Sequence, residues 1–129
     1  MKHILALLLL LCLTATAPSP ANDPARMLVF TKTGGFRHDS IPAAVDTLRM
    51  LGARLGWQVD HGEDATAFSP RNLARYRVVV FANTTGDVLD ETQQAALREY
   101  IERGGGYGGN HPAADTEYDW AWYGRLVGG

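Results

Sequence analysis

His111 stands between a glycine-rich run, Gly104 to Asn110, and Pro112, with Asp115 and Glu117 close behind. An imidazole titrates near neutral pH, so a histidine carried on closely approaching backbone suits general acid or base chemistry. His111 and Asp115 are the candidate catalytic residues, with Asn110 beside them as a substrate contact. Two more stretches carry chemistry of the same kind. Thr31 to Asp39 holds Thr33, Gly34, Gly35, Arg37 and His38, and Asn83-Thr84-Thr85-Gly86 precedes Asp87. Thr33, Arg37, His38, Asn83, Thr84, Thr85 and Gly86 are the remaining candidate substrate-binding positions.

Each stretch also has a plainer use. Gly34-Gly35 forms a turn, and its spacing matches neither a P-loop nor a dinucleotide fingerprint. Asn83 to Gly86 can satisfy backbone groups at a strand end. His38 and His111 can each bond within their own loops. No i, i+4 histidine pair and no His-Glu-x-x-His motif is present, so no metal site is assigned. The sequence names no cofactor. Trp120, Trp122 and Tyr123 read as packing residues, with a sugar-stacking platform as the alternative. His61 is given no role.

The elements that must position these residues follow from hydrophobic patterning. Met27 to Thr31 and Arg77 to Asn83 are continuous apolar runs, as expected of strands buried on both faces. Trp57 to Asp60 is a weaker strand, and Tyr107 to Asn110 a glycine-rich fourth. Between them, Ser40 caps a helix with Pro42 in its first turn and Ala44, Leu48, Leu51 and Leu55 on its apolar face, Val45 beside them. Pro70 to Tyr76 is short and helical or irregular. Asp90 with Gln93 makes a capping box ahead of Ala96, Leu97, Tyr100 and Ile101. Asp119 to Val127 begins a last helix. Strand and helix in alternation predict an α/β fold, an open parallel sheet with helices on both faces. Ligands of such sheets bind at the carboxyl ends of the strands, where all three polar stretches fall.

The amino terminus has the order of a secretory signal peptide. A short basic start, an apolar run from Ile4 to Leu13, and small residues to Ala21 place cleavage before Asn22. The run is shorter than the roughly 20 residues of a membrane span. The expected organisation is a signal peptide over 1–21, a linker over 22–26 and one domain over 27–129. A secreted or periplasmic location follows, with no stable membrane span after cleavage. The one cysteine, Cys12, would leave with the signal, which excludes thiolate chemistry from the mature domain. Twelve Lys and Arg against 14 Asp and Glu give a net charge of −2 and no electrostatic reason for nucleic acid.

Three stretches together, Leu28 to Ile41, Phe81 to Asp87 and Asp115 to Trp120, resemble the ThuA-like (trehalose utilisation) domains. The resemblance implies a flavodoxin-like sheet similar to class I glutamine amidotransferases, a small-molecule sugar or sugar derivative as ligand, and a place in carbohydrate metabolism. The amidotransferase elbow is Gly-x-Cys-x-Gly. The matching run here, Gly109-Asn110-His111-Pro112-Ala113, has His in place of the Cys, which removes glutamine hydrolysis through a thiolate. The run departs from the usual family pattern in carrying Gly and Asn for strand-forming Val and a proline after the histidine. Domains of this family also continue past Leu126, so the resemblance implies an incomplete carboxyl end. An acid–base enzyme, a non-catalytic sugar-binding module and an inactive fragment are the competing functional expectations.

Overall fold

A computed structural model describes residues 23–129; the apolar run from Ile4 to Leu13, its cleavage region and Cys12 lie outside the described residues. Four parallel strands form one sheet: β1 (Arg26–Phe30), β2 (Gln58–Gly62), β3 (Val78–Ala82) and β4 (Gly106–Asn110), in the order β2-β1-β3-β4. Helices α1 (Ile41–Leu55), α2 (Pro70–Leu73), α3 (Glu91–Glu102) and α4 (Ala121–Val127) alternate with them, and a short 3₁₀ turn spans Ala65–Ala67. The predicted flavodoxin-like α/β arrangement is what forms. β1 starts at Arg26, one residue before the apolar run, and the Arg26 backbone carbonyl accepts from Arg77.

The alternation of strand side chains divides the core in two. Leu28, Phe30, Val79 and Phe81 face one side, packed with Phe68, Leu73, Leu97 and Tyr123. Met27, Val29, Val80 and Ala82 face the other, packed with Ile41 and Val45 of α1. Both faces are therefore covered, which is why β1 and β3 read as unbroken apolar runs. Full burial of a side chain such as Phe81 contributes roughly 1.5–3 kcal/mol before ordering costs.

Two helices show how local chemistry met tertiary packing. α3 begins as expected, with Asp90 accepting from the backbone of Gln93 and the Gln93 side chain accepting from the backbone N–H of Asp90. α1 departs from expectation in part: Val45 and Leu48 do pack on the core, but the rest of the face differs. Its buried positions are Ile41, Val45 and Gly52, while Leu51 and Leu55 are exposed. The helix rotates because Gly52 lets it approach β2 so closely that a Cβ there would collide with the Val59 side chain. Ser40 holds the N-cap position but makes no cap bond; its hydroxyl is engaged elsewhere. No described helix is long and apolar enough to cross a membrane.

Strand order reverses between β1 and β3, since α1 leads to one side of β1 and the rest of the chain to the other. That is the point at which an open α/β sheet leaves a crevice at its carboxyl edge.

Candidate functional site

Beyond the strand ends, the three polar loops continue the sheet as single bridges. Thr33 pairs with Thr85, and Gly86 pairs with Thr116. The amides of Gly34 and Gly35 both donate to the Thr85 carbonyl, at 2.6 and 3.2 Å. Gly86 N–H donates to Asp115 O at 2.7 Å, and the Gly86 carbonyl accepts from Glu117 N–H at 3.2 Å. Gly86 is therefore the knot of all three loops. Its φ of +70° and the backbone of Gly34 and Gly35 against its Cα leave no room for a Cβ, which would lie 2.8 Å from Gly35 N.

Asn83 ends β3 with φ +56°, a left-handed conformation that asparagine tolerates better than most residues. Its Nδ2 donates to the His111 carbonyl at 2.6 Å and to Ser40 Oγ at 3.2 Å. Its N–H donates to Asn110 Oδ1 at 3.2 Å. The Asn83 side chain thus ties the β3, β4 and α1 ends together, and its Oδ1 is buried without a partner among the described residues. His38 and His111 lie above this junction, ring centroids 5.4 Å apart and edge to face. His111 is exposed and His38 half-buried. Phe36 continues the row, 4.8 Å from His38.

The sequence-derived candidates separate by what their side chains reach. His38, Asn83, Asn110 and His111 converge on one edge. Asp115 is half-buried in the same loop as His111, and its backbone holds Gly86 and, through its N–H, the Pro112 carbonyl. Thr84 and Thr85 are sealed. The Thr84 hydroxyl pairs with that of Thr116 at 2.9 Å, and the Thr85 hydroxyl donates to Phe36 O at 2.7 Å. Both serve the scaffold of the loops, as Gly86 does, and Thr33 joins them through its bridge. Arg37 leans toward β2, where its guanidinium meets Glu63 at 2.8 Å.

That ion pair belongs to a cluster which sequence patterning did not signal. The buried Thr31 hydroxyl donates to Glu63 Oε1 at 3.1 Å, so it accepts from His61 Nε2 at 2.8 Å. The neutral His61 ring then carries its proton on Nε2 and leaves Nδ1 unprotonated. Burial pushes the His61 pKa down, aided by the charges of Arg49 and Arg37 and opposed by Glu63. The Arg37 hydrogen bond holds the Glu63 carboxyl below the usual range, against burial and with help from Thr31. The signal that could have exposed His61 is the adjacency of β1 and β2, which is a topological fact and not a local one.

Glu117 is a second surprise. It is 2% exposed, and its Oε1 accepts from the backbone N–H groups of Val88 and Leu89 at 2.7 and 2.8 Å, while Oε2 accepts from the Gln94 amide. This carboxylate anchors the β4–α4 loop to the start of α3. Tyr123 performs the matching task on the other side: its hydroxyl donates to Ala113 O at 2.8 Å and accepts from Tyr107 at 2.7 Å. Burial pushes the Tyr107 hydroxyl up to about 12.

No group of three or more His, Cys, Asp or Glu side chains close enough to hold a metal occurs among the described residues. The cations nearest the edge are occupied: Lys32 Nζ donates to Val88 O at 3.1 Å, and Arg37 is paired. Among the described residues the side chains that converge there are the two imidazoles and the amides of Asn83 and Asn110, with the carboxylates of Asp39, Asp87 and Asp115 in the same loops. A depression of about 350 Å³ flanks it, lined by Tyr107, Asn110, His111, Pro112 and Val127. A larger one, about 1040 Å³, lies at the opposite, amino end of the strands between Arg26, Tyr76, Arg77 and Tyr100.

A solved crystal structure of a ThuA-like protein from Bacteroides uniformis ATCC 8492 superposes with a TM-score of 0.66 at 21% sequence identity, covering 88% of this chain and 48% of that one. The two share the fold, and this chain spans about half the length of that protein. No curated protein matches the chain. The family model described as ThuA, trehalose utilisation, matches residues 26–129, through all four strands and every loop of the carboxyl edge. The chain belongs to the ThuA family.

Proposed function

We propose that this chain is part of an exported carbohydrate-active protein whose sugar site is the carboxyl edge formed by His38, Asn83, Asn110, His111 and Asp115. The family's description, trehalose utilisation, supports the carbohydrate class. The observation that carries the site is the convergence of His38 and His111 over Asn83, at the switch point between β1 and β3. Neutral hydrogen-bonding groups around two imidazoles suit hydroxyls, which both donate and accept. His111, whose ring is exposed at the edge, is the proton carrier, and Asp115 is the carboxylate of the same loop. No thiol takes part, so the chemistry is proton transfer or hydrolysis without a cysteine adduct. Export rests on the signal-like residues 1–21.

A second reading is a sugar-binding module without catalysis. It is favoured by one observation: neither the His38 nor the His111 ring has a hydrogen-bonded carboxylate to orient it among the described residues, as a general base usually has. Replacing His111 by Ala separates the two. The enzyme reading predicts a loss of turnover of about 100-fold or more with sugar affinity largely kept. Turnover that survives the change contradicts it, and sugar binding with no turnover in the wild type supports the module.

A further inference from the structure

Phe36 is a large apolar residue left 70% exposed at the rim of the candidate site. Exposed phenylalanines are common enough singly. This one differs in how firmly its backbone is held. The two preceding residues, Gly34 and Gly35, donate to the Thr85 carbonyl, and the Phe36 carbonyl itself accepts from the Thr85 hydroxyl at 2.7 Å. Thr85 is 1% exposed and hydrogen-bonded into the sheet's continuation, so the loop tip is fixed to the most buried part of the edge. The ring rests edge to face on His38 at 4.8 Å, and His38 rests edge to face on His111 at 5.4 Å. Most of the Phe36 ring surface stays open.

We infer that Phe36 is the stacking platform for a pyranose ring, a specificity-determining residue of the sugar site; the inference rests on the proposed carbohydrate reading. A pyranose with equatorial hydroxyls has polar edges and apolar C–H faces. The edges suit Asn83, Asn110 and the histidines. A C–H face needs a flat apolar partner, and Phe36 is the exposed aromatic ring in this row. Pre-fixing the loop lowers the ordering cost of binding, since little backbone freedom is left to lose. The platform therefore selects ring sugars over open-chain polyols that carry the same hydroxyls.

Two probes read this directly: methyl β-D-glucopyranoside, which has the apolar faces, and D-glucitol, which has none. Affinities are measured by calorimetry on the full chain and on Phe36→Ala, Phe36→Leu and Phe36→Trp. The side chain is exposed, so these variants should fold, and thermal melts check that they do. The wild type is expected to prefer the glucoside. Phe36→Ala and Phe36→Leu should weaken the glucoside roughly 3- to 10-fold and leave glucitol nearly unchanged, while Phe36→Trp keeps or tightens the glucoside. Wild-type binding that Phe36→Ala leaves intact overturns the platform and spares the carbohydrate reading. Equal weakening of both probes, or a Leu variant that binds as well as the wild type, also overturns it. A wild type that binds neither probe removes the platform and the carbohydrate reading together.

Discussion

Asn83 and His111 are joined side chain to backbone: Asn83 Nδ2 donates to the His111 carbonyl oxygen at 2.6 Å. The bond crosses from the end of β3 to the end of β4, with the donor buried and the His111 side chain exposed. It places the imidazole by fixing the peptide that carries it. The same amide also reaches Ser40 at the start of α1, so one side chain sets three loop ends.

Asn83→Asp tests that clamp with almost no change of shape. Aspartate tolerates the left-handed backbone, but it presents an acceptor where a donor is needed. The variant should be destabilised by about 1–3 kcal/mol. A carboxylate facing a carbonyl oxygen favours its protonated form, so the folded pKa of the new group lies above its unfolded value. Its penalty relative to wild type should therefore grow as pH rises from 3 to 7. Urea denaturation of both proteins across that range checks the sign; a penalty that shrinks with pH contradicts the clamp.

Glu117 offers a graded pair of substitutions. Glu117→Ala strands two buried backbone N–H groups and takes the partner of the part-buried Gln94 amide, and should cost about 3 kcal/mol or more. Glu117→Gln keeps an oxygen for Val88 and Leu89, and Gln94 can turn its own amide to offer an acceptor. It should cost about 1 kcal/mol. Chemical denaturation that ranks Gln as costly as Ala would show that charge, and not the hydrogen bonds, holds this loop.

Acid stability should depend on two carboxylates at the β1–β2 side. Burial alone would raise the Asp60 pKa, but hydrogen bonds from Arg26 and Tyr76 together with the arginine charges carry it below its ordinary value. Glu63 is likewise depressed by Arg37. A depressed carboxyl binds fewer protons folded than unfolded, so its contribution is present above about pH 4 and is lost as pH falls through the folded value. The thermal midpoint should sag slightly as pH falls through about 6.5, where the lowered pKa of His61 costs stability, and drop further below about pH 4 as the two carboxylates protonate. Asp60→Asn should start lower at pH 7 and fall less on acidification. A wild type whose midpoint is unchanged between pH 5 and pH 3 contradicts this.

The parts of the fold that rest on local chemistry were legible in the residues. The apolar runs of β1 and β3, the Asp90–Gln93 box and the glycine-rich β4 all appear where patterning puts them. The face of α1 is legible at Val45 and Leu48 but not at its far end, because apolar spacing counts Leu51 and Leu55 and ignores Gly52, although the glycine is what lets the helix close on Val59. The loops were legible as polar strand ends, but not the division of labour inside them. Whether Thr84 meets a ligand or Thr116 is decided by a partner 32 residues away. His61 and Glu117 escaped for the same reason: the first depends on β2 lying beside β1, the second on amides 28 and 29 residues upstream.

The carboxyl edge as the sugar site is tested most directly by amide chemical-shift mapping of the protein during titration with methyl β-D-glucopyranoside. Saturable shifts are predicted at Phe36, His38, Asn83, Asn110 and His111, all fitting one dissociation constant. An unchanged spectrum, or shifts gathered instead around Arg26, Tyr76 and Tyr100 at the amino end of the strands, would contradict it.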